Sequence, residues 1–159
     1  MKKLSFLLIA VAIFSTTFAQ TAFRSGSAQL DIDLNRINTS AKRDYGKFRT
    51  DIRLTYRTSD KKINYMRNTV KMQPADIYFA FEISRISRRP IDNVIIVFRN
   101  HRNKGWGYMA KQMGIKPGSA QFHALKGNAS GKAHKNKGNK GNNGNGKGNS
   151  KNKGKGKKK

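Results

Sequence analysis

The last 33 residues, 127–159, hold 11 Lys, 9 Gly and 8 Asn and contain no acidic or aromatic side chain. Such a segment cannot bury enough apolar surface to offset its chain entropy. The composition predicts a disordered tail, extended by self-repulsion, and confines folding to what precedes it.

The opposite end narrows the folded region further. Lys2 and Lys3, the apolar residues 4–14 and the small-x-small site Thr17-Phe18-Ala19 read as a secretory signal peptide over 1–19. Ser15, Thr16 and Thr17 interrupt the apolar run before it reaches the roughly 20 residues a membrane span needs. The mature chain is expected to begin near Gln20, without a transmembrane span, in the periplasm or outside the cell. A short polar linker, 20–27, then leads into a helical domain over 28–126. There is no Cys, which excludes disulfide scaffolds, Cys-ligated zinc and thiol catalysis.

Within 28–126 the apolar spacing is helical. Leu30, Leu34, Ile37, Ala41, Phe48 and Ile52 recur at steps of three and four or their sums, with a break expected near Gly46. Thr58-Ser59-Asp60 offers capping oxygens for a short helix through Ile63 and Met66. Pro74 suits the first position of a helix, and the run through Ile77, Tyr78, Phe79, Phe81, Ile83 and Ile86 is apolar almost all round, which predicts the central buried helix. Pro90 is expected to start another helix in the same way, with Asp92 in its first turn and Arg99, His101 and Arg102 at its last. A short piece over 108–113 is stopped by Gly114, and Ser119 caps a last helix over 120–126 that Gly127 should end. The fold class is therefore all-α, a small bundle of five to six short helices with a disordered C-terminal tail.

Three blocks carry a resemblance: Pro74-Ala75-Asp76-Ile77-Tyr78, then Lys104-Gly105-Trp106-Gly107-Tyr108-Met109-Ala110-Lys111-Gln112-Met113-Gly114-Ile115-Lys116-Pro117-Gly118-Ser119, then Phe122-His123-Ala124-Leu125-Lys126. Over about residues 30 to 126 the chain resembles a group of small exported bacterial proteins of uncharacterised activity. The resemblance implies an exported helical domain with a basic Gly/Asn/Lys tail and assigns no function.

The residues show no catalytic set, metal site or cofactor motif. Asp31 and Asp33 are two apart, on different faces of a helix, and Asp76 and Glu82 are six apart, so neither makes an acid/base couple. His101 and His123 could meet in the fold, but lone histidines near helix ends are more often capping or surface groups than ligands. Residues 141–147 have the spacing of a phosphate-binding loop, yet Gly148 stands where Ser or Thr is required. The chain is read as a non-enzyme with no small-molecule substrate evident.

Charge remains: 34 Lys and Arg against 8 Asp and Glu, a formal +26. Each Lys that neutralises a phosphate or sulfate releases counterions. The expected activity is nonspecific binding of anionic polymers or envelope surfaces, with nucleic acid, lipopolysaccharide or acidic polysaccharide as partners. The carriers would be Lys132, Lys135, Lys137, Lys140, Lys147, Lys151, Lys153, Lys155, Lys157, Lys158 and Lys159. Up to eleven such contacts on duplex DNA give a log affinity against log salt slope near about −10. A second reading takes 106–126 as a helix-turn-helix-like nucleic-acid binder contacting bases through Gln121, His123 and Lys126. A third makes the core a periplasmic protein-interaction module with an exposed apolar patch, the tail only solubilising it.

Overall fold

The computed structural model describes residues 23–135. The signal peptide and the lysines from Lys137 onward lie outside the described residues. Those described form seven α-helices and no strand, which is the all-α bundle the spacing predicts with at least one helix more than expected.

Helix α1, Ala28–Arg43, opens under Ser27, whose Oγ accepts the Leu30 N–H, and buries Leu30, Leu34, Ile37 and Ala41 on one face. The break falls at Asp44, two residues before Gly46. The Asp44 carboxylate accepts the Lys47 N–H at 2.8 Å and starts α2, Tyr45–Tyr56, while the Asp44 N–H closes the end of α1 on the Ser40 carbonyl. One aspartate thus serves both helix ends, and Gly46 becomes an ordinary first-turn residue. Helix α3, Asp60–Asn64, is capped by Ser59 as expected and runs into a π-helical turn, Tyr65–Thr69, which the apolar spacing does not reveal.

Helix α4, Pro74–Ser87, is the centre of the bundle. Pro74 occupies its first position, and every residue from Ala75 to Ile83 is buried, two carboxylates included. It packs against α1, α2, α5, Ile91–His101, and α7, Ala120–Lys135. Pro90 immediately precedes α5 rather than opening it. Helix α6, Trp106–Gln112, begins two residues earlier than expected, at Trp106. That indole lies edge-on to Phe79 at 5.4 Å and beside Phe98 at 5.3 Å, an arrangement of rings that adds to simple burial. Gly114, at φ +88°, stops α6 as a left-handed residue should.

The main correction concerns α7. Ser119 caps it, its Oγ accepting the Phe122 N–H at 3.2 Å, but Gly127 does not end it: the helix continues to Lys135. Leu125, Ala129 and Ala133 recur at four-residue steps and are buried, in a helix that packs on α1 and α4. The Asn128 amide donates to Glu82 at 2.6 Å, and the Lys132 ammonium to Asp51 at 2.9 Å. Tertiary packing overrides the local stop signal, and the folded domain extends nine residues past the expected boundary at 126.

Gly127 and Gly131 lie in the interior of α7, and an added Cβ at either would meet nothing within 4 Å. Gly127→Ala and Gly131→Ala should each stabilise the domain by about 0.5–1 kcal/mol, through helix propensity and a less floppy unfolded chain. Urea unfolding of the two variants measures this, and a loss of stability in either would contradict the continuous helix.

Candidate polyanion-binding surface

All eight carboxylates of the chain fall within the described residues, and each is engaged by a neighbour. Five form ion pairs: Asp33 with Arg36, Asp60 with Arg49, Asp92 with Lys62, Glu82 with Arg85 and Asp51 with Lys132. Asp31 accepts the Ser25 N–H at 3.0 Å, and Asp44 caps α2. Asp76 accepts the Trp106 Nε1–H at 2.7 Å and the Gln73 N–H at 2.9 Å.

Most of the described Lys and Arg form no ion pair among the described residues. Arg43, Lys47, Arg53, Arg57, Lys61, Arg88, Arg89, Arg99, Lys104, Lys111 and Lys116 are exposed, and none forms an ion pair among the described residues. Acidic groups are spent on helix ends, buried ties and surface ion pairs, and the described surface is left with an excess of cations. Such a surface raises the local concentration of polyanions over a Debye length of about 8–10 Å.

The two buried carboxylates explain residues that the spacing leaves unexplained. Glu82, 4% exposed, accepts the Tyr56 hydroxyl at 2.7 Å, both Arg85 donors, and Asn128. It joins α2, α4 and α7 at one point. Burial first, and then the Glu82 charge, push the Tyr56 and Tyr78 hydroxyls far above the ordinary tyrosine range. Asn38 of α1 performs a neutral version of the same task at the N-terminus of α4, its Oδ1 accepting the Ala75 N–H at 2.7 Å and its Nδ2 donating to Gln73 at 2.6 Å.

At Asp76 burial dominates and raises the carboxyl above its ordinary 3.8, opposed by the hydrogen bonds from Trp106 and Gln73 and by the Arg102 charge. A raised folded-state value means that the folded chain holds this proton more tightly than the unfolded one. Its contribution is therefore fully present below pH 3.8 and is lost as the pH rises through the folded-state value. The stability of the wild type relative to Asp76→Asn should decline from that pH upward and then level off. Urea midpoints of both proteins across acidic to neutral pH check this, and a difference that grows with pH would reverse the sign.

Among the expected site residues, Lys132 is half-buried and paired with Asp51, so it is not a free tail cation, whereas Lys135 is exposed at the end of α7. Lys137, Lys140, Lys147, Lys151, Lys153, Lys155, Lys157, Lys158 and Lys159 lie outside the described residues, as does the 141–147 loop pattern. Gln121 and His123 are exposed on the first turns of α7 and Lys126 is half-buried. Helix α6 packs on α5, whereas α7 packs on α1 and α4. The two helices of the segment 106–126 thus rest on different neighbours. His101 sits against the Tyr108 ring, centroids 5.1 Å apart, and no group of three or more potential metal ligands occurs among the described residues. The exposed large apolar residues are Ile32, Leu54, Tyr65 and Ile96, spread over α1, α2, the π turn and α5. No described helix is long and apolar enough to cross a membrane.

Comparison with protein-family models, with curated proteins and with solved structures found no match to this chain.

Proposed function

We propose that this is an exported helical protein that binds anionic polymers or envelope surfaces without sequence preference, its lysine-rich C-terminal segment making most of the contacts and the domain surface assisting. The observation that carries the reading is that all eight carboxylates are engaged by helix caps, hydrogen bonds or ion pairs, which leaves most exposed arginines and lysines of the described residues unopposed. Sequence-blind attachment needs charge and adaptability rather than a shaped pocket. Nothing in the segment offers aromatic stacking. Export rests on the leader over 1–19. Cleavage after Ala19 leaves three residues before Phe23, which is buried at 2% exposure and whose carbonyl accepts the Trp106 N–H, so removal of the leader spares the docked segment. The mass of the exported form tests the cleavage position.

The binding test compares 20–159 with 20–135 on duplex DNA, lipopolysaccharide and a neutral polysaccharide as salt is raised. A cut at 126 would remove the packing and side-chain ties of Asn128, Ala129, Lys132 and Ala133, so the shorter chain is cut after 135, which keeps them. Because Lys132 is already paired with Asp51, ten of the eleven lysines remain and the slope on duplex DNA should be near about −9. The shorter chain should bind the anionic ligands far more weakly, and the neutral polysaccharide should bind neither. Equal binding by both chains, or none, would refute the reading.

A further inference from the structure

The C-terminal end of α4 and the turn between α6 and α7 enclose a groove of about 610 Å³. Ser87, Arg88, Arg89 and Gln121 supply its polar lining, and Ile86, Met113 and Ile115 its apolar side. No carboxylate lines it. Neither guanidinium has an ion-pair or hydrogen-bond partner among the described residues, in contrast to Arg85 one turn earlier, which Glu82 holds.

The backbone that presents the two arginines is fixed. The Arg88 and Arg89 N–H groups both donate to the Ser84 carbonyl, and the Ser84 hydroxyl donates back to the Arg89 carbonyl at 2.6 Å. Arg88 holds φ 55°, the left-handed conformation in which helices favour glycine. Two adjacent cations, the first in a left-handed conformation that Arg24, Arg57 and Lys71 also adopt, therefore stand fixed at the edge of this open groove.

We propose that this groove binds a monosaccharide phosphate. The guanidinium forks of Arg88 and Arg89 match a phosphate dianion, for which arginine offers several parallel donors. The Gln121 amide can both donate to and accept from a sugar hydroxyl. Ile86, half-buried, provides an apolar contact for the C–H face of the ring, with Met113 and Ile115 buried beneath it. The proposal stands on the groove alone and does not depend on the lysine-rich segment.

The test uses the mature chain, 20–159, observed by backbone and side-chain amide NMR near ~0.15 M salt. The probes are glucose 6-phosphate, inorganic phosphate and glucose. Arg88→Gly is the decisive variant, because glycine is the preferred occupant of that backbone conformation and folding is preserved or improved. The expected result is saturable shifts at Met113, Gly114, Ile115 and the Gln121 side chain with glucose 6-phosphate, weaker ones with phosphate and none with glucose. Arg88→Gly should weaken binding about tenfold or more, as the loss of a charge-assisted donor implies, with an unfolding midpoint no lower than that of the wild type. Absence of shifts at these residues, or shifts that persist in Arg88→Gly, would overturn the proposal. Equal binding of glucose would remove the role of phosphate, and equal binding of inorganic phosphate would remove that of the sugar.

Discussion

Gly105→Ala is expected to cost about 3–5 kcal/mol and to release the N-terminal segment from the domain. Gly105 holds φ +81° and ψ 170°, a region essentially confined to glycine. A Cβ there would lie 2.4 Å from the Arg24 Cβ and 3.0 Å from the Phe23 and Arg24 carbonyl oxygens, none of which is the loose end of a side chain. The segment would have to move away. It would then lose the hydrogen bonds from the Trp106 N–H to the Phe23 carbonyl, 2.8 Å, and from the Gly107 N–H to the Arg24 carbonyl, 2.9 Å. Each is worth about 1 kcal/mol, and exposure of the Phe23 ring costs about 2 kcal/mol more. Gly114→Ala provides the control, because Gly114 also has a positive φ but an added Cβ there meets nothing. It should lose only the conformational term, about 1 kcal/mol. Urea unfolding separates the two, and limited proteolysis should open the bond after Arg24 only in Gly105→Ala. Equal losses in both variants would mean that docking of the N-terminal segment contributes nothing.

That contact marks the boundary of what the sequence reveals. Helix faces, the Ser59 and Ser119 caps, Pro74 and the stop at Gly114 are legible because each depends on residues within a turn or two of itself. Gly105 and Gly107 flank Trp106 for a reason located some 80 positions earlier, and no local rule points to Phe23. The same limit applies to Gly127. As a local signal it ends a helix, but Ala129 and Ala133 fit against α1 and α4, and their burial carries the helix past it. The spacing of Asp76 and Glu82 speaks only against a catalytic couple, and their work as buried acceptors depends on Trp106, Tyr56 and Asn128, which only the fold brings near. The surface charge was legible as an excess. Which cations are neutralised was not, because that depends on pairs such as Asp51 with Lys132 that are distant in sequence.

Glu82→Ala should be comparably severe, losing about 3–5 kcal/mol, because it removes one partner of a buried charged network and strands the others. The Tyr56 hydroxyl and the Asn128 amide would remain inside without an acceptor, and Arg85, exposed on its outer side, would turn to solvent. Tyr56→Phe alone should cost only about 1 kcal/mol, since Glu82 keeps Arg85 and Asn128. The double variant Tyr56→Phe with Glu82→Ala should then be less damaged than the sum of the two, because the stranded hydroxyl is gone. Strict additivity in urea unfolding would mean that the pair does not act as a unit. A second readout lies in α7. Asn128 and Lys132 are the side-chain ties of its last two turns, so Glu82→Ala should speed amide hydrogen exchange over residues 129–135 more than over α1. This bears on the proposed activity. Fraying of that end would release Lys132 from Asp51 and add about one cation to those available for polyanions, steepening the salt slope by about 0.9. Glu82 thus ties the last described turns of α7 to α2 and α4.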